Sequence, residues 1–97
     1  MAKQSKKAEV KERKGVLTLD NAKVREAAIE GVFEAPSDGD GNAKARVSMF
    51  SGTSHTKTFY RNPDNGNEQE QIEAANLERD QFIDFVADLI SDKETTE

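Results

Sequence analysis

Cysteine is absent from the 97 residues, and so is tryptophan. Without a thiol there is no disulfide framework, no thiolate metal site and no cysteine nucleophile. Histidine occurs once, at His55, so a catalytic triad or a histidine metal cluster lacks its partners. No apolar run approaches the roughly 20 residues that span a bilayer. The opening MAKQSKKAEVKERKG has no apolar stretch of the kind a secretory signal carries. Ala2 stands where myristoylation needs glycine. These absences predict an intracellular, cytoplasmic protein with no membrane segment.

Apolar material is also scarce. Hydrophobic residues make up 34% of the chain, no more than the charged ones. Average globular chains are roughly 45–50% apolar and about 25% charged. One domain with a small core follows, and such a domain is expected to gain stability as a homodimer or higher oligomer.

Charge is unevenly spread. Residues 1–14 hold six bases and two acids, for +4; residues 15–61 balance; residues 62–97 hold eleven acids and two bases, for -9. The first fourteen residues are too polar to offset their ordering entropy and read as a flexible basic arm. The domain itself is expected over 15–91, with 92–97 a frayed acidic tail.

Within the domain, GVLTL at 15–19 favours a strand, and Asp20-Asn21 supplies turn chemistry. Residues 22–35 fit a helix through Val24, Ala27, Ala28 and Val32. They fit a strand better, because Ile29, Gly31 and Phe33 alternate with Glu30, Val32 and Glu34; a bulge is expected near Gly31. PSDGDGN at 36–42 is a loop. Over 43–51, Ala45, Val47 and Met49 point one way and Lys44, Arg46, Ser48 and Phe50 the other. SGTS turns the chain into a further strand, where Thr56, Thr58 and Tyr60 alternate with His55, Lys57, Phe59 and Arg61. NPDNGN closes that strand.

Everything after Gly66 reads as helix. Asn67 and Glu70 have capping-box spacing. Phe82, Ile83, Phe85, Val86, Leu89 and Ile90 form one apolar stripe. Continued backwards, that stripe puts Leu77 among the acids and Arg79 among the apolar residues. The mismatch predicts a distortion at 76–79, or two pieces meeting there with Asn76 as a second cap. The fold class is therefore α+β: an antiparallel meander of about four strands, then a C-terminal amphipathic helix packed on one sheet face.

Few constellations carry chemistry. Asp38, Asp40 and Asn42 have the 1, 3, 5 spacing of a calcium loop. The sixth position is Ala43 instead of glycine and the twelfth is Met49 instead of glutamate, so a hairpin loop is expected and no metal. No phosphate-cradling loop or nucleophile elbow is present, which predicts a non-enzymatic protein with no cofactor. Two surfaces remain. One is basic and aromatic: Lys44, Arg46, Phe50, His55, Lys57, Phe59 and Arg61. If the hairpin register puts them on one face, cations interleave with rings as in proteins that hold single-stranded DNA or RNA. A slip of one residue undoes this. The other is Asp80, Asp84, Asp88 and Asp92, an acidic ladder repeating every helical turn. It suits the basic surface of a protein partner, as in a phage-like inhibitor or adaptor that imitates DNA phosphates. Nucleic-acid binding is the leading expectation and protein binding its alternative.

Overall fold

The computed structural model describes residues 13–95, with side chains to residue 91. Among the described residues, five strands and one long helix make up an α+β domain. Strands β1 (Val16–Thr18) and β2 (Lys23–Arg25) form a short hairpin around the Asp20-Asn21 turn, with Leu17 opposite Val24. A 3-10 turn at Glu26–Ala28 leads into β3 (Ile29–Ala35), which pairs with β4 (Ala43–Met49), which pairs with β5 (Ser54–Phe59). Helix α1 (Glu68–Thr95) follows and lies on one face of this three-stranded sheet.

The expected single strand over 22–35 is thus two strands separated by a 3-10 turn. The bulge expected near Gly31 falls between Ile29 and Gly31, where the β3–β4 register shifts. The sheet is correspondingly split into a hairpin and a three-stranded meander, giving five strands.

Strand β4 organises the core. Ala43, Ala45, Val47 and Met49 are all buried, while Lys44, Arg46 and Ser48 alternate with them on the other side. Period-two patterning on a half-covered strand produces this result. Val47 and Met49 join Leu19, Val24, Ile29 and Val86 in the central cluster, flanked by Leu17, Val32, Phe82 and Ile90. The hairpin and the helix therefore cover the same side of the sheet. Among the described residues, no element covers the other side.

The helix begins as its sequence dictates. Glu70 N–H donates to Asn67 Oδ1 at 2.8 Å, and Asn67 N–H donates to Glu70 Oε1 at 2.9 Å. This reciprocal box satisfies two donors that a helix start leaves orphaned. Gly66 precedes it at φ +108°, a conformation that side chains resist.

The irregularity expected at 76–79 does not occur: α1 is one continuous helix. Arg79 does point at the sheet and is only 8% exposed. It is accommodated because its guanidinium meets Glu34 Oε2 of β3 at 3.5 Å and Asp80 Oδ1 at 2.9 Å. Leu77 is left on the outer side, 57% exposed. Ion pairing at one turn thus replaces the break that hydrophobic patterning implies.

Asp38, Asp40 and Asn42 serve the β3–β4 loop. Asp38 Oδ1 accepts from the N–H groups of Asp40 and Asn42, and its Oδ2 accepts from Asn42 Nδ2. Asn42 Oδ1 in turn accepts from Arg61 N–H at 2.9 Å. No metal-holding group of ligands occurs among the described residues. The side-chain hydrogen bond from Asn42, its backbone N–H and nearby Lys44 hold the Asp38 carboxyl below the ordinary aspartate value. A lowered folded value means that the loop's stabilisation is present above the unfolded pKa and is lost as pH falls through the folded one. Amide protection factors at Asp40 and Asn42 are therefore expected to fall in acid, below the ordinary aspartate range, before those of the β4 core respond. Equal acid sensitivity in Asp38→Asn would refute this role for the carboxylate.

Candidate nucleic-acid interface

The β4–β5 register decides which side chains share a face. Ala43 lies opposite Phe59, Ala45 opposite Lys57 and Val47 opposite His55; Lys44 lies opposite Thr58 and Arg46 opposite Thr56. Residues directly across an antiparallel pair point to the same side. Lys57, Phe59 and His55 therefore share the covered side with the buried alanines and Val47. Lys44 and Arg46 occupy the open side with threonines.

The seven residues expected to form one basic and aromatic surface are thus divided. The Phe59 ring packs against Phe82 of the helix, with centroids 5.5 Å apart at a tilted angle. Lys57 Nζ sits 5.7 Å from the Phe59 centroid, as a cation beside that ring. His55 is half-buried on the same side. Phe50 lies past the end of β4 in a turn, half-buried, with its N–H donating to Ala28 O. Arg61 follows β5 and reaches the helix start, where Nη1 stands 3.7 Å from Glu68 Oε2. Only Lys44 and Arg46 remain on the open face. The cause is hairpin geometry, which composition does not report.

The open face has a different aromatic residue. Phe33 of β3 lies directly opposite Arg46. Its ring leans over Gly31, close enough that a Cβ there would come within 3.0 Å of Cζ. Phe33 is nevertheless 53% exposed. Alternation groups Phe33 with Ile29, which is buried; the bulge between Ile29 and Gly31 reverses the face, so Phe33 lies on the open side. Arg46 is exposed and has no ion pair or hydrogen bond among the described residues. Tyr60, next in alternation after Thr56 and Thr58, is 69% exposed.

Lys44 is more constrained. Its Nζ donates to Thr58 Oγ1 at 3.0 Å, and that hydroxyl donates to Asp20 Oδ2 through a short hydrogen bond. Asp20 also pairs with the β5 backbone: its N–H donates to Thr56 O at 3.0 Å, and its Oδ1 accepts from Thr58 N–H at 2.9 Å. One turn residue thereby closes the outer edge of β5 and steadies Lys44 at the rim of the open face.

At the other side of the molecule, Asp80 is held by Arg79, while Asp84 and Asp88 are exposed. The side chain of Asp92 lies outside the described residues, as do residues 1–12 of the basic arm. Arg13 and Lys14 are described. Arg13 is buried, and its Nη2 donates to Ile29 O at 3.3 Å. Burial pushes its guanidinium pKa down, and Glu26 opposes that shift. Arg13 is therefore held beside the start of β3.

The arrangement defines a small α+β domain with one sheet face that no described element covers. Comparisons with family models, with curated proteins and with solved structures found no match for this chain. No described helix is long and apolar enough to cross a membrane.

Proposed function

We propose that the open face of β3, β4 and β5 holds a short stretch of single-stranded nucleic acid without catalysing a reaction. The carrying observation is the pair formed by an exposed ring, Phe33, and a free guanidinium, Arg46, directly opposite it on neighbouring strands. A base stacks on Phe33, and Arg46 and Lys44 meet the phosphates on either side. The hydroxyls of Thr56 and Ser48 on the same side add polar contacts. Every base has a π face, so stacking of this kind tolerates sequence.

Net charge supports this placement better than the sum of -5 implies. Asp80, Asp84 and Asp88 lie on the helix, which occupies the opposite side of the sheet, while Asp20 at the rim is bonded to Thr58. Packed layers are about 10 Å apart, and the Debye length is about 8 Å at physiological salt. The helix aspartates are therefore largely screened from a strand on the open face.

The test is fluorescence anisotropy with a labelled single-stranded oligonucleotide of mixed sequence. Two phosphate contacts predict about a sevenfold loss of affinity from 50 to 200 mM salt. Phe33→Ala is expected to weaken binding about tenfold, the loss of one stacked base. Arg46→Ala is expected to weaken binding and flatten the salt dependence. Binding that survives both substitutions, or no binding at low salt, refutes the proposal and leaves a basic protein surface as the partner to seek, at Asp84 and Asp88.

A further inference from the structure

The two edges of the three-stranded sheet are treated differently. On β5, Asp20 occupies the outward-facing C=O of Thr56 and N–H of Thr58. Since those point outward, His55, Lys57 and Phe59 turn their peptide groups to β4. Along β4 the direction alternates, so Lys44, Arg46 and Ser48 bond β3 through Ala35, Phe33 and Gly31. The N–H and C=O of Val32 and of Glu34 consequently point away from the sheet. Among the described residues none of these groups makes a hydrogen bond. An unpaired edge of this kind templates another strand.

We infer that β3 pairs antiparallel with β3 of a second copy, about a two-fold axis at Phe33, giving a six-stranded sheet. Charge selects this register. With the axis at Phe33, Val32 lies opposite the partner's Glu34, and Phe33 opposite its own counterpart. All the free groups of Val32 and Glu34 are then paired. With the axis at Val32, Glu30 would face Glu34 across the junction, twice. With the axis at Glu34, the two copies of that carboxylate would face each other. Like charges directly opposite are destabilising. The contact is isologous, and Asp20 blocks the opposite edge at β5, so assembly stops at two copies. The apolar poverty of the chain gives such a dimer something to supply.

The pairing rests on the edge alone. Its consequence for function rests on the nucleic-acid reading: the second copy contributes the second ring. Across the joined open face the order becomes Arg46, Phe33, the partner's Phe33, the partner's Arg46. A strand of nucleic acid then meets two adjacent stacking surfaces flanked by guanidinium groups.

Cysteine placement tests the axis, because the chain has no cysteine of its own. Residues on the axis in a non-hydrogen-bonded antiparallel pair have Cα atoms about 4.5 Å apart, within the range that a disulfide bridges. In Phe33→Cys, mild oxidation is expected to link the copies. In Ala35→Cys, two residues along the same face, the paired thiols are about 13 Å apart, and linkage is expected to be at least roughly tenfold slower. Sedimentation should give wild-type protein at twice the 10.7 kDa chain mass. Phe33→Lys, which sets two ammonium groups face to face on an exposed position, should give a folded monomer by circular dichroism.

A wild-type monomer, or equal linkage in the two cysteine variants, overturns the inference. So does slow amide exchange at Val32 and Glu34 in a monomer, which would assign the edge to another segment of the same chain. A dimer whose Phe33→Cys variant crosslinks, and which binds no oligonucleotide, sustains the inference and removes the functional reading. A monomer that binds oligonucleotide does the reverse.

Discussion

Phe59→Ala is expected to destabilise the domain by about 2–3 kcal/mol, while Phe33→Ala changes stability by less than about 0.5 kcal/mol. The two phenylalanines sit on neighbouring halves of one sheet and look alike in sequence. Phe59 packs on Phe82 and underlies Lys57. Truncating it leaves a void between β5 and the helix that the backbone cannot fully close, so lost transfer energy and lost packing add. Its half-buried state puts the cost below the roughly 3–5 kcal/mol of fully buried phenylalanine truncations. Phe33 stands on the open side, 53% exposed, with its ring over Gly31. Its loss removes no core contact. Urea melts at protein concentrations where each variant sediments as a monomer separate the cases. Equal destabilisation by both truncations would contradict the register that places Ala43 opposite Phe59. Conversely, anisotropy should respond to Phe33 and not to Phe59 once each protein is folded at the assay temperature.

The same pair shows what can be read from residues alone. Alternation along 43–49 assigned the buried side of β4 correctly, because each residue's neighbours two positions away fix its face whatever it pairs with. The capping box at Asn67 and Glu70 was legible for a similar reason: both halves lie within one turn. The α+β order and the covering helix followed from these local signals. The composition of the open face was not legible. It depends on how 50–53 and 36–42 turn, and a shift of one residue exchanges Lys57 for Thr58 on a given side. Phe33 was visible as a strand residue, yet it belongs beside Arg46 only through the β3–β4 pairing. Asp20 was legible as a turn former, but its second role, closing the edge of β5, spans 38 residues of separation to Thr58. Long-range contacts of this kind leave no periodic trace.

Arg79 is the clearest conflict between local pattern and fold, and a charge reversal there is expected to have the largest effect of any single change at the helix–sheet contact. The residue is 8% exposed, and its guanidinium bridges Glu34 on the sheet and Asp80 on its own helix. Both carboxylates are mostly solvated, with side chains 66% and 57% exposed, so the ion pairs alone contribute little. What matters is that the buried stem fills the groove and the head meets opposite charge at its end. Arg79→Met keeps the stem and removes the charge. It is expected to fall within about 1 kcal/mol of wild type, because replacing such a pair with an apolar side chain of similar volume is often neutral. Arg79→Glu removes the cation and sets a third carboxylate between two others where water is scarce. A loss of about 3 kcal/mol or more is expected, the cost of an uncompensated buried charge. Adding Glu34→Arg to Arg79→Glu restores opposite charge across the contact and should recover part of that loss, whereas Glu34→Arg alone sets two cations together and should destabilise. Chemical denaturation of the four proteins forms a double-mutant cycle. A coupling near zero would mean that Arg79 acts through packing alone. A favourable coupling would assign the join between β3 and the helix to charge, at the one turn where hydrophobic patterning predicts a break.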